Sequence, residues 1–348
     1  VELLAVDATS PDPTIIARAA RVIQSGGLVA FPTETVYGLG ANAINPDAVA
    51  RIYAAKGRPS WNPVISHVAR VGDARALTSH WPDAAETLAN AFWPGPLTMV
   101  LPRATHVPDI ATAGRDAVAV RMPSHPVALA LITAAECPIA APSANRFTQV
   151  SPTSAQHVVA SLGDRVDVIL DGGACTVGIE STVVDLSGET PIVLRPGMIS
   201  RAAIAQVLGC DVSVLSVRGS SNMSDEPHRS PGMVDRHYAP NADVWLIDAS
   251  QVPAAADALH QRRDTPRASS DTVTVLRIGA GESPFDTLPL LPEDRVVRLS
   301  TEPAAYAQQL YAELHAADAR GVATVVIERP PDNDAWTAIT DRLTRASR

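Results

Sequence analysis

Residues 28–40 read LVAFPTETVYGLG: a short apolar run, Leu28–Phe31, passes straight into a loop that carries Thr33, Glu34 and Thr35. Four apolar residues bounded by Gly26-Gly27 and by Pro32 fit a buried strand covered on both faces. Ligands of open α/β sheets gather at the carboxyl ends of the strands, so two hydroxyls and a carboxylate at this point are candidate site groups. The plain alternative is an ordinary strand-to-turn transition with Gly38 and Gly40 as turn residues.

Outward from this strand, helix and strand alternate. Upstream, Asp12-Pro13 sets a helix start and Ile15, Ile16, Ala19, Ala20, Val22 and Ile23 follow at helical spacing until Gly26-Gly27. Downstream, the periodicity predicts helices over 46–55, 82–92, 126–135, 153–162 and 200–208. It predicts strands over 63–68, 97–101, 117–121, 139–141, 166–170, 182–186 and 192–194. This is one α/β domain with some antiparallel pairing. Periodicity fades from Asp211 to Asn241, and Ser216–Pro231 has the Ser, Pro, Asp and Arg content of a linker. A second α/β alternation follows, with strands over 244–247, 273–278, 296–299 and 322–327 and helices over 253–262, 303–319 and 334–345. It reads as a small open-sheet domain, and 348 residues at roughly 100 to 200 per domain agree with two domains.

Composition narrows the function. Hydrophobic residues make up 46% and charged residues 19%, and 28 basic against 37 acidic residues leave a net charge of −9, which excludes a disordered polyelectrolyte and a basic nucleic-acid clamp. No apolar run approaches the roughly 20 residues of a membrane helix, and Val1–Ser10 lacks the pattern of a secretory signal, so a cytoplasmic location and no membrane contact are expected. Cys137, Cys175 and Cys210 are too few and scattered for a disulfide framework, and no zinc-ligand spacing occurs.

Among the 28 basic residues Lys56 is the sole lysine, the rest being arginine. A compact ammonium and a planar guanidinium are not interchangeable at a phosphate, so the exception points to a chemical role. Lys56-Gly57-Arg58-Pro59, followed by Asn62-Pro63, offers two cations to a polyanion on a proline-stiffened loop; a solvated basic helix end is the plain alternative. Arg121 closes the apolar strand Ala117–Arg121 and needs an anionic partner, from a substrate carboxylate or from the protein. Ala141-Pro-Ser143-Ala-Asn145 ends another strand with two short hydrogen-bonding side chains, and is also a good turn. Gly172–Thr182 lacks the lysine of a phosphate loop, and Ser181 has neither a nearby histidine nor a nucleophile elbow. Arg195-Pro-Gly197 repeats the strand-end arginine, whereas Arg342 reads as a surface arginine. Such cations, hydroxyls and amides, without a covalent nucleophile or a metal cluster, suit the positioning and charge stabilisation of a polyphosphate.

Taken in order, Pro32–Gly40, Lys56-Gly-Arg58-Pro, Ser143-Ala-Asn145, Gly178-Ile-Glu-Ser181-Thr-Val-Val-Asp185, Leu194-Arg195-Pro-Gly197, Ser230-Pro-Gly-Met233 and His237-Tyr238-Ala-Pro240 resemble the two-domain branch of the YrdC-like family, the threonylcarbamoyl-AMP synthases. The resemblance implies a YrdC-like twisted mixed sheet with helices over 12–210, a linker or lid over 211–240, and a smaller Rossmann-like open-sheet domain over 241–348. It implies that L-threonine and bicarbonate form a carbamate that attacks ATP, giving threonylcarbamoyl-adenylate and pyrophosphate, with Mg2+ carried by the ATP phosphates. The product would serve N6-threonylcarbamoylation of adenosine 37 in tRNA through a downstream transferase machinery, with at most a weak tRNA contact by this chain.

Carried over residue by residue, Thr35, His67, Arg121, the backbone at Ala141 and Ser181 would hold threonine, Arg121 taking its carboxylate. ATP would meet Lys56, Arg58, Asn62, the backbone near Ala117, Ser143, Asn145, Ser151 and Arg195, with His237 and Tyr238 from the folded-back lid. The catalytic set so implied is Lys56, Arg58, Ser143 and Asn145. The chain departs from the family at Val234-Asp235, where a basic and an aromatic residue are usual, and an acidic residue there would weaken closure of the lid. Two other readings stand beside this one: a carbamoyl-adenylate-forming enzyme of the same family, and a non-catalytic RNA-binding module.

Overall fold

The structure is a computed structural model that describes residues 1–215, 237–263 and 272–348. It divides into two units, the first formed by the described residues up to Leu215 apart from Thr148–Val150, the second by Thr148–Val150 and the described residues from His237 onward. The linker stretch Ser216–Pro231 and the motif positions Ser230–Met233, Val234 and Asp235 lie outside the described residues.

The first unit opens with the short edge strand β1 (Glu2–Ala5) and helix α1 (Pro13–Gln24). The Asp12 carboxylate accepts from the Thr14 N–H at 2.7 Å, and Pro13, with no N–H to leave unsatisfied, fills the first helical position. Strand β2 (Val29–Phe31) is wholly buried and pairs antiparallel with β3 (Gly38–Asn42). Gly38 and Gly40 are therefore strand residues, not turn residues. A Cβ at Gly40 would lie 2.7 Å from the Phe31 ring and 2.8 Å from Ile139 Cγ2, so only glycine lets the three strands approach.

Helix α2 (Pro46–Lys56) is capped by Asn45, whose side chain accepts from the Asp47 and Ala48 N–H groups, and ends on Gly57 in the left-handed region at φ +62°. Then come β4 (Ile65–His67), α3 (Val71–Ala76), α4 (Asp83–Phe92), β5 (Leu97–Pro102), α5 (Asp109–Thr112), β6 (Ala117–Arg121), α6 (Pro126–Ala135) and β7 (Ile139–Ala140). The unit closes with α7 (Ala155–Leu162), β8 (Val168–Asp171), β9 (Thr182–Asp185), β10 (Ile192–Arg195), α8 (Arg201–Leu208) and β11 (Ser213–Val214). The eleven strands form one mixed sheet in the order β1-β8-β2-β3-β7-β4-β6-β5-β9-β10-β11.

Two apolar clusters hold this sheet to its helices. Leu39, Val49, Ile52, Leu88, Leu97 and Met99 belong to one, and Ile16, Ile23, Phe31, Leu131, Ile139 and Leu170 to the other. Each buried side chain of this size is worth about 1.5–3 kcal/mol relative to exposure, which fixes the register of the strands whose ends carry the polar groups.

The second unit is a four-stranded, all-parallel sheet in the order β12-β15-β13-β14, from β12 (Asp243–Ile247), β13 (Val273–Ile278), β14 (Arg295–Leu299) and β15 (Thr324–Glu328). Helices α9 (Val252–Arg263), α10 (Pro303–Ala319) and α11 (Thr337–Ala346) supply its crossovers and its end, as a parallel sheet requires. Within it Tyr238 stacks on Tyr311 with ring centroids 6.1 Å apart, and the His237 N–H donates to the Arg345 carbonyl. Arg342 is not a surface residue: it is 1% exposed, pairs with Asp341 at 2.6 Å and lies 5.0 Å over the Tyr238 ring. Its guanidinium has both a carboxylate and an aromatic face to satisfy it, so the helix can bury it. Among the described residues no helix is long and apolar enough to cross a membrane.

Candidate active site

The strand register brings the first site residues together. His67 on β4 lies directly opposite Arg121 on β6 and opposite Ile139 on β7. Arg121 is buried, and its guanidinium is met from several sides. Nε donates to the Gly95 carbonyl at 3.3 Å, Nη1 donates to Thr35 Oγ1 at 2.9 Å, and Nη2 lies 2.8 Å from Glu34 Oε1. The anion that the strand-end arginine needs is thus supplied by the protein itself, from Glu34 on the 32–37 loop. That contact lies outside hydrogen-bond geometry: Nη2 and both Glu34 oxygens are buried without a hydrogen-bond partner. Thr33 Oγ1 lies 2.8 Å from Thr35 Oγ1 and donates to the Val36 carbonyl at 2.6 Å, which stiffens the loop.

His67 is buried with its Nδ1 3.2 Å from the Ile65 carbonyl. Burial, aided by the Arg121 charge, pushes its pKa down from 6.5 to about 3, so the ring is a neutral imidazole able to hydrogen-bond a hydroxyl. Next to this group, Ser181 Oγ lies 2.8 Å from Thr98 Oγ1 on β5. Arg195, at the end of β10, donates to the Ser181 carbonyl from Nε at 3.1 Å and from Nη2 at 2.9 Å, and to its hydroxyl at 3.1 Å. Ser151 donates to the Glu180 carboxylate at 2.6 Å.

The second group forms around the end of α2. Lys56 is buried, and its Nζ donates to the carbonyls of Ser143 and Asn145, each at 2.5 Å. Burial, with Arg58 nearby, holds its pKa well below the usual ammonium range, while Glu180 opposes the shift. Two of the ammonium's three donors are used on the protein, and one is left for a ligand. Arg58 wraps over Asn62: Nη2 donates to Asn62 Oδ1 at 2.6 Å and to the Pro63 carbonyl at 2.8 Å, and the guanidinium lies 5.9 Å from the Phe147 ring centroid. The Asn145 amide donates to the Arg146 carbonyl at 2.8 Å.

The structure therefore groups Thr35, His67 and Arg121, joins Ser181 to Arg195, and groups Lys56, Arg58, Asn62, Ser143 and Asn145. Ala141 follows β7, its N–H bonded to the Ile65 carbonyl at 2.9 Å. Ala117 stands at the opposite end of β6 from Arg121, on the wall of a cavity of about 670 Å³ that Arg115, Asp116 and Asp185 also line. His237 and Tyr238 belong to the second unit. The sequence marked Glu34 as a candidate site group without a partner, and gave no role to Thr98 or Glu180. Glu180 adjoins Ser181. Thr98 carries no local signal, since its partner lies 83 residues away.

Known proteins are similar to this chain over most of its length. The family described as "Telomere recombination" matches residues 21–197, and that described as "Threonylcarbamoyl-AMP synthase, C-terminal domain" matches residues 199–348. The threonylcarbamoyl-AMP synthase of Pyrococcus abyssi (strain GE5 / Orsay) is 41% identical over 331 residues, which cover 94% of this chain and 93% of that one. The chain belongs to the threonylcarbamoyl-AMP synthase family. The synthase of Bacillus subtilis (strain 168) is 40% identical over 342 residues, 98% of this chain and 95% of its own. The crystal structure of P. abyssi Sua5 complexed with L-threonine superposes with a TM-score of 0.88 at 38% identity, covering 100% of this chain and 98% of that one. The mixed α/β sheet and the smaller parallel-sheet unit are those of this family's structures.

Proposed function

We propose that the chain makes threonylcarbamoyl-adenylate from L-threonine, bicarbonate and ATP. The deprotonated amine of threonine and bicarbonate give a carbamate and water, a carbamate oxygen attacks the α-phosphorus of ATP, and pyrophosphate leaves. The observation that carries this reading is the buried Arg121–Thr35 contact beside a neutral His67 in register, which suits a small hydroxylated amino acid. Arg121 would take the carboxylate, Thr35 and the His67 imidazole the side-chain hydroxyl, and the Ala141 backbone and Ser181 the remaining polar edges.

Lys56, Arg58 and Arg195 would face the triphosphate with Asn62, Ser143, Asn145 and Ser151, and the backbone near Ala117 would meet the rest of the nucleotide. These side chains are cations, amides and hydroxyls, a set that holds phosphate oxygens, so Mg2+ would arrive on the ATP. Charge developing on the α-phosphoryl oxygens in the transition state is what the remaining N–H of Lys56 would stabilise. The product would then pass to the transferase that modifies adenosine 37 of tRNA in the cytoplasm, with no more than a weak tRNA contact here.

Pyrophosphate release from MgATP, with threonine and bicarbonate each added or withheld, tests this. Strict dependence on both is expected. Release driven by carbamoyl phosphate would move the assignment to carbamoyl-adenylate chemistry, and no release under any donor would refute it.

A further inference from the structure

Glu34 is the charged residue of the 32–40 stretch, and the reaction as drawn above gives it nothing to do. It is nevertheless buried, with neither carboxylate oxygen hydrogen-bonded and one of them 2.8 Å from Nη2 of Arg121, which also lacks a hydrogen bond. His125 and Cys175 lie within its electrostatic reach, and neither donates to it. A buried carboxylate with no donor is costly to keep. Here the ion-paired Glu34 and Arg121 keep two acceptors and a donor that no protein group hydrogen-bonds, side by side, an arrangement that fits a ligand carrying both an ammonium and a carboxylate.

We propose that Glu34 is a specificity-determining residue at substrate entry, which sets a negative charge against the guanidinium that receives the substrate carboxylate, so that an amino acid is admitted as its zwitterion, to lose the ammonium proton only ahead of carbamate formation, and a carboxylate that arrives without an ammonium is rejected. This rests on the assignment of the threonine carboxylate to Arg121. Arg121 alone, a buried cation, would attract any small carboxylate. Paired with Glu34 it is neutral, so a monoanion pays its desolvation with no net charge to offset it and meets the Glu34 carboxylate at close range. A zwitterion brings an acceptor for the N–H groups of Arg121 and N–H donors for Glu34. Selection here works through repulsion of the wrong ligand as much as attraction of the right one.

The test titrates L-threonine and 2,3-dihydroxybutanoate, in which a hydroxyl replaces the amine, into the wild-type chain and into Glu34→Gln and Glu34→Asp by calorimetry, with a thermal melt of each protein. Wild type should prefer threonine by at least about tenfold, Glu34→Gln should shrink that ratio by about tenfold or more, and Glu34→Asp, which keeps the charge, should retain it. An unchanged ratio in folded Glu34→Gln overturns the proposal. So does a wild type that binds the two compounds equally, a result that needs no variant to fold. If wild type binds neither, the assignment of the carboxylate to Arg121 fails, and this inference with it.

Discussion

Replacing Lys56 by methionine keeps the volume of the side-chain stem and removes the ammonium, which makes it the sharpest probe of the nucleotide side of the site. In the folded chain that ammonium holds the Ser143 and Asn145 carbonyls together, each at 2.5 Å. Leaving two buried carbonyls without a donor costs about 1–3 kcal/mol each. Against this, burial already penalises the charged form of Lys56, so its removal returns part of that cost. A net loss of about 1–3 kcal/mol is expected, small enough for the protein to remain folded. The catalytic effect should be larger in proportion: losing a preorganised charged donor at a phosphoryl group lowers the rate about 10²- to 10³-fold. Urea unfolding and pyrophosphate release, read on the same Lys56→Met preparation, give the two numbers, and calorimetric threonine affinity should stay within about threefold. A folded variant that releases pyrophosphate within about tenfold of wild type would refute the placement of Lys56 on the nucleotide.

Three further outcomes follow from the geometry. The pKa of His67 is about 3 in the folded chain and 6.5 ordinarily, so the unfolded chain takes up the proton first. The stability that depends on the neutral ring is complete above about pH 6.5 and is lost as the pH falls toward 3, by up to about 1.4 kcal/mol per unit; urea midpoints between pH 7 and 4 should show this slope, and His67→Gln should flatten it. Gly40→Ala would drive a methyl group into the Phe31 ring at 2.7 Å and Ile139 at 2.8 Å, and a loss of about 1–3 kcal/mol by thermal denaturation is expected. Arg342→Ala removes a buried guanidinium from Asp341 and the Tyr238 ring. It should cost about 2 kcal/mol or more in a thermal melt, and a change below about 0.5 kcal/mol would show that the side chain behaves as a surface arginine after all.

Much of the fold was legible because its punctuation is local. Asp12-Pro13 opens α1, and Pro126 opens α6, whose observed bounds are those read from the pattern. Strand Ala117–Arg121 was likewise plain, since an apolar run ending in a charge has one reading at the end of a covered strand. Strand β3 was lost because GLGAN lacks β-branched and aromatic residues, and its glycines answer to the bulk of Phe31 and Ile139, which no local propensity records. Strand β1 was missed because four residues of modest alternation at the start of the chain resemble a tail until β8 pairs with them.

For the site, residue types and positions at strand ends were available from the chain: the lone Lys56, the terminal Arg121, the hydroxyls of Thr33, Thr35 and Ser181. Their partners were not. Thr35 meets Arg121 from 86 residues away and Lys56 meets the Ser143 carbonyl from 87, contacts that depend on which strands lie side by side and in which register. A charge buried at a strand end announces that it needs a counter-charge, because the desolvation cost is a property of the group itself. Whether a ligand or a glutamate supplies it depends on packing, and in this chain the packing put Glu34 there.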